Sequence, residues 1–209
     1  MVAAQCDTSR KPYVTWLLGA AMVEVYGWIV LAAQSDPFSV MEIYDAYALY
    51  PNRLDWMGRA MTSLSALFIH TTWSHLGINL IVFLITAPSL ERCVGSLVFT
   101  VIYAGCDMVG NIAEITLDPI IDVPVVGAST AIAGITGAVV VLLARPKTPR
   151  TLTENRAFVV AVATCLWIVI PIPEWAEFAR TQTDIAQIGH RSGMIAGMVA
   201  ATLLRYRFG

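Results

Sequence analysis

The chain has 209 residues, 57% of them hydrophobic and 13% charged, with a formal net charge of −2 at pH 7. Its mean hydropathy of +0.67 is far above that of a water-soluble domain of this size, and so small a net charge argues against nucleic acid or an acidic partner. One compact multi-helix membrane domain is the reading these quantities leave.

Six apolar stretches bounded by charges and turn residues lie at roughly 13–34, 62–87, 96–113, 128–145, 157–172 and 185–205. A helix crosses a ~30 Å hydrocarbon layer with about 20 residues. The stretches lack the alternating pattern of a membrane strand, so all six are expected to be helices of an all-α, polytopic bundle. The first has no signal-peptide pattern before it and no small-residue cleavage site, and reads as an uncleaved span. Residues 1–12 then form one tail, 13–205 the membrane domain and 206–209 the other tail. Segment 35–61, rich in aromatic and acidic residues (Tyr44, Tyr47, Tyr50, Trp56), is expected in the outer interface. The stretch Arg145–Arg156 reads as a connector.

Sidedness follows from the basic residues. Arg10, Lys11, Arg92, Arg145, Lys147, Arg150, Arg156, Arg205 and Arg207 fall on one side of a six-span chain, which should be cytoplasmic. Arg53, Arg59, Arg180 and Arg191 fall on the other, with Asp36, Glu42, Asp45, Asp55, Asp118, Asp122, Glu174, Glu177 and Asp184. Cys6, Cys93, Cys106 and Cys165 show no CxxC spacing. With Cys6 and Cys93 on the cytoplasmic side, neither a disulfide framework nor a zinc site is expected.

The three histidines all fall in the outer halves of predicted spans, His70 and His75 on the second and His190 on the sixth. An imidazole there must face a partner or a wet cavity, for chemistry or simply for packing. His75 and Asn79 stand four residues apart and so share a helical face. Such a pair of donors can stabilise an oxyanion, worth about 3–4 kcal/mol per donor, or make an interhelical hydrogen bond worth about 0.6 kcal/mol.

Gly127-Ala128-Ser129-Thr130 opens the fourth span, where a serine is often only a helix cap. Gly134 and Gly137 follow it, and the sixth span carries His190, Gly193 and Gly197. Small residues let two helices approach closely, so this strip can bring Ser129 and His190 together. An imidazole beside a serine removes its proton and later protonates a leaving amine, and a helix N-terminus adds partial positive charge. Glu24 and Asp107 are two further ionisable residues expected inside the bundle, either functional or structural hydrogen-bonders, and are not counted in this site.

These residues resemble the rhomboid family of intramembrane proteases from about Trp56 to Gly197. His70-Thr-Thr-Trp-Ser-His75-Leu-Gly-Ile-Asn79 is similar to the family's second-span motif, and Leu90-Glu91-Arg92 with Gly95-Ser96 to its turn into the third span. The run from Gly127 to Gly137 is similar to its nucleophile motif, and His190-Arg-Ser-Gly193-Met-Ile-Ala-Gly197 to its histidine motif. The resemblance implies a six-helix fold, Ser129 as nucleophile and His190 as general base and acid. It also implies an oxyanion hole from His75, Asn79 and the Ser129 backbone, with His70, Gly127, Gly193 and Gly197 in support. Transmembrane proteins would be cut near the outer face of the bilayer, a prokaryotic plasma membrane, with no cofactor and no metal.

Three positions depart from the family pattern. Thr130 replaces a glycine, which narrows the site or adds a hydroxyl to it; Ala133 replaces an aromatic that packs on the histidine, a gap left open or filled by Trp73. The outer-loop Trp-Arg pair appears as Trp56-Met-Gly-Arg59. The competing reading is an inactive rhomboid-like protein that binds membrane helices. A three-histidine metal site is disfavoured because His70 and His75, five apart on one helix, would point away from each other.

Overall fold

The structure is a computed structural model, described for residues 6–7, 9–36, 38–50, 56–117, 124–144, 151–169 and 187–208. It is a helical membrane bundle: α1 (Tyr13–Ser35), α2 (Phe38–Tyr47), α3 (Trp56–Ala66), α4 (Trp73–Val94), α5 (Ser96–Leu117), α6 (Ser129–Leu143), α7 (Leu152–Val169) and α8 (Gln187–Phe208). Among the described residues there is no strand, only an isolated antiparallel bridge between Leu49 and Val125. By length and hydropathy α1, α4 and α5 are able to cross a membrane, while α6 is apolar but shorter.

The six longer helices alternate in direction, and polar contacts show which ends meet. Glu91, near the end of α4, accepts from Val14 and Thr15 at the start of α1. Glu114, near the end of α5, accepts from Gly189 at the start of α8. Arg191 reaches the Ile168 carbonyl at the end of α7, and Arg205 the Val141 carbonyl at the end of α6. Helices α4, α6 and α8 therefore begin at one end of the bundle, and α1, α5 and α7 at the other.

Helix α6 is the bundle's axis, buried without interruption from Thr130 to Val139. Its sequence, Ser-Thr-Ala-Ile-Ala-Gly-Ile-Thr-Gly-Ala, carries no charge on any face, as a helix enclosed on all sides requires. Its glycines set the distance to α8: a Cβ on Gly197 would overlap the Gly134 carbonyl, and one on Gly193 would lie 2.6 Å from the Thr130 carbonyl oxygen. Cys106 of α5 closes on Gly134 from another direction.

At the opposite end, Glu91 joins three elements. Its carboxylate accepts from the Val14 and Thr15 amides (3.0 and 2.8 Å), the Thr15 hydroxyl (2.7 Å) and the Ser96 hydroxyl (2.7 Å). The first turn of a helix has amides without intrahelical partners, so one buried carboxylate here satisfies the start of α1 and tethers that of α5. Glu91→Ala is expected to cost about 3 kcal/mol, the scale of losing charge-assisted hydrogen bonds and orphaning their donors; thermal unfolding in detergent would show it.

Several sequence expectations need correction. The second stretch, 62–87, is two helices with a bend at residues 67–72. The bend is apolar because Leu67 and Ile69 are buried in the protein (3% and 2% exposed). Thr72 then restarts the chain as the α4 cap, its hydroxyl accepting from the His75 amide at 3.1 Å. Within segment 35–61 the described residues form α2 and the start of α3. Helix α7 begins at Leu152, earlier than expected, through reciprocal capping of Thr151 and Glu154.

Glu24 is exposed on the outside of α1 and is no interior group. Cys6 and Cys93 form a disulfide, contrary to the expectation of unpaired thiols, because the N-terminal segment folds back over the α4–α5 turn. The expected connector residues 145–150 and the charges Arg53, Asp55, Asp118, Asp122, Glu174, Glu177, Arg180 and Asp184 lie outside the described residues.

Candidate active site

The start of α6 is held from outside by backbone bonds. Val125 and Leu49 exchange amide hydrogen bonds (2.8 and 3.2 Å), and the Gly127 amide donates to the Ala66 carbonyl at 2.9 Å. Gly127 itself has φ +102°, a backbone state that side chains rarely adopt, and a Cβ there would lie 2.7 Å from His75 Nε2. The chain can turn into α6 beside His75 only with glycine at this position. Ala128 is the helix cap, so Ser129 is the first helical residue and its hydroxyl is not spent on capping.

That hydroxyl meets His190: Ser129 Oγ and His190 Nε2 are 2.7 Å apart. His190 is buried (9% exposed) and Ser129 half-buried. The pair rests on the glycine seam, since His190 is one turn before Gly193 on the face that packs against α6. With the ring proton on Nδ1, Nε2 accepts from the serine, the arrangement in which a base activates a nucleophile.

His75 and Asn79 approach the same point from α4. The position a Gly127 Cβ would take is 2.7 Å from His75 Nε2 and 3.7 Å from Asn79 Nδ2. The Asn79 amide nitrogen is buried and finds no acceptor among the described residues. The Thr71 hydroxyl lies 3.4 Å from His75 Nδ1. The four polar groups named from the sequence thus surround the N-terminus of α6, where unpaired helix amides point outward.

His70 sits in the bend before α4 and not on a helix, which corrects its expected place. Its Nδ1 lies 3.2 Å from the Phe68 carbonyl. The bend also brings its ring within 5.0 Å of the His75 ring, so the two are not turned apart as a continuous helix would have them.

The departures at Thr130 and Ala133 are resolved by packing. Thr130 is 3% exposed and faces the seam, its methyl and hydroxyl against Gly110 and Gly189, so it neither narrows the site nor adds a hydroxyl to it. Ala133 packs with Cys165 and Met194. Trp73 does not fill the gap: it is 66% exposed and rests edge-on against Tyr26, 4.7 Å between centroids. The side chains of Trp56 and Arg59 lie outside the described residues.

Sequence reading missed Glu114. It is 3% exposed and accepts the Gly189 amide at 2.5 Å, immediately before His190. The signal was present, since Glu114 is an acid in an apolar stretch like Asp107, but it lies just past the predicted end of the third span. Asp107 is buried and accepts from Asn111 at 2.8 Å, and Asn111 also donates to Ser63 of α3 at 3.3 Å.

A family model described as a rhomboid domain matches residues 57–207. The chain is 27% identical over 194 residues to the rhomboid protease GluP of Bacillus subtilis (strain 168), covering 93% of this chain and 35% of that protein. It is 36% identical over 74 residues to YdcA of the same organism, covering 35% of this chain and 37% of that protein. The chain thus spans about a third of the length of the curated relatives it matches. A match of that family model from α3 to α8, over a helical bundle with three helices apolar enough for a bilayer among the described residues, makes this chain a member of the rhomboid family.

Proposed function

We propose that this protein is an intramembrane serine endopeptidase that cuts transmembrane helices with a Ser129–His190 dyad. The observation that carries the reading is the 2.7 Å approach of Ser129 Oγ on α6 to His190 Nε2 on α8. Ser129 Oγ attacks the scissile carbonyl carbon while its proton passes to Nε2. The oxyanion is received by Asn79 Nδ2, His75 Nε2–H and the Ser129 amide. The imidazolium then protonates the leaving amine, and water attacks the acyl-enzyme with His190 again as base.

The dimensions of α6 fit this placement. Its 15 residues make a rod of about 22 Å, shorter than the ~30 Å hydrocarbon layer. Were α6 to end at the cytoplasmic surface, as the basic residues suggest, Ser129 would lie below the outer surface. Water reaches such a point only along polar walls, here His75, Asn79 and the hydroxyl itself. A substrate helix must unwind there to expose its carbonyl. The chain then crosses the membrane six times, with the short α6 as the core of its own crossing and both tails cytoplasmic.

Labelling of the detergent-purified chain with a fluorophosphonate or isocoumarin tests the reading. One adduct on Ser129, lost in Ser129→Ala and requiring His190, is expected. Folded protein that forms no adduct with a series of such probes would transfer the case to a helix-binding protein without protease activity.

A further inference from the structure

At the end of α4 opposite the dyad, the structure gathers a second set of reactive side chains. Cys6 of the N-terminal segment and Cys93 of α4, 87 residues apart, are joined as a disulfide. Glu154, in the first turn of α7, places a carboxylate oxygen within 4.8 Å of both sulfurs. Among the described residues this is the one cluster of three potential metal ligands. It borders a cavity of about 350 Å³ lined by Cys6, Ser89, Arg92, Thr151, Thr153 and Glu154.

Two features mark the cavity as more than a surface dent. The Ser89 hydroxyl is buried (residue 3% exposed) and has no partner among the described residues, although its residue lines the cavity. A buried hydroxyl of this kind is normally satisfied, so it calls for a bound polar species. Glu154 is also oriented in advance: its Oε2 accepts from the Thr151 amide at 2.8 Å and the Thr151 hydroxyl at 3.1 Å.

We propose that Cys6, Cys93 and Glu154 form a site that, once the disulfide is reduced, takes a single thiophilic divalent cation of the zinc type. Thiolate ligands select soft or borderline ions over calcium and magnesium, which prefer oxygen. Two sulfurs and one carboxylate supply three ligands of a tetrahedral set, leaving a fourth position open to water in the cavity beside Ser89. Charge is complementary as well: two thiolates and a carboxylate carry three negative charges, matched by a divalent ion and the Arg92 guanidinium on the cavity wall.

The chemistry balances in two steps. A small dithiol reductant breaks the Cys6–Cys93 bond, closes to its own disulfide and leaves two S–H groups. The cation then displaces both protons, forming two metal–sulfur bonds and releasing two protons to solvent. The bound ion ties the N-terminal segment to α4 and α7 through three ligands where the disulfide ties it to α4 alone. The site shares no residue with the proposed peptidase dyad and does not depend on that activity.

The test is zinc stoichiometry on the full chain in detergent, measured by equilibrium dialysis after reduction and anaerobic removal of the dithiol. About one Zn²⁺ per chain is expected at micromolar free zinc, and essentially none in the oxidised protein. Cys6→Ser and Cys93→Ser should each abolish uptake, and Glu154→Gln should weaken it at least about tenfold. Co²⁺ in place of Zn²⁺ should show thiolate-to-metal charge transfer in the near ultraviolet. Circular dichroism of each variant checks that the bundle is intact. Reduced, folded wild type that binds no zinc would overturn the proposal, as would zinc retained by the Cys6→Ser, Cys93→Ser double variant.

Discussion

His190→Ala is expected to lower the rate of peptide cleavage by at least about 10⁴-fold, with little change in KM. The imidazole is the one base within reach of Ser129 Oγ, at 2.7 Å among the described contacts. Without it the hydroxyl keeps its proton at neutral pH, and the amine leaves unprotonated. The proposed oxyanion donors on α4, His75 and Asn79, remain, so some acceleration over water should persist. Arg191→Ala is the control. Arg191 is the next residue on α8 but is exposed, its guanidinium 3.5 Å from both Gln187 Oε1 and the Ile168 carbonyl. Cleavage in that variant should stay within about twofold, since surface substitutions are usually near neutral. Rates of cleavage of a reconstituted transmembrane substrate would decide it, and a His190→Ala protein that cleaves at the wild-type rate would remove the dyad from the mechanism.

Gly197→Val should be the most destabilising of single substitutions on the α6–α8 seam. A Cβ at Gly197 would overlap the Gly134 carbonyl, and backbone cannot yield there as a flexible side chain would. Overpacking of this kind costs about 3 kcal/mol or more when neither helix can shift. The loss is shared by the site, because α8 carries His190 and moving it away from α6 opens the contact with Ser129. Unfolding temperature in detergent and active-site labelling should therefore fall together. Gly27→Val is the matched control: nothing lies within 4 Å of a Cβ at Gly27, so the same change on α1 should leave both readouts close to wild type. Equal losses at Gly27 and Gly197 would show that the seam is not what sets this spacing.

The residues that meet at α6 were readable because each solves a local problem that leaves a mark in sequence. Polar groups in apolar stretches stand out, which picked His75, Asn79 and His190. Small residues at four-residue spacing mark a close helix contact, which picked Gly193 and Gly197. Where the reading failed, the signal was hydropathy taken without burial. Leu67-Phe68-Ile69 looks like the inside of a span, yet it fills a bend between α3 and α4. Glu24 looks like an interior acid, yet its helical face points outward.

Composition and pattern alone therefore determined the class of this protein, a helical membrane bundle, and its polar candidates, because a bilayer forces every span to be apolar and regular. The tertiary structure decided everything that depends on which face meets which. It turned Thr130 into the seam, left Trp73 against Tyr26, set Glu114 under the amide before His190 and closed Cys6 onto Cys93. Such contacts join residues many positions apart, and a periodic pattern along one helix carries no information about the rotation of its neighbour.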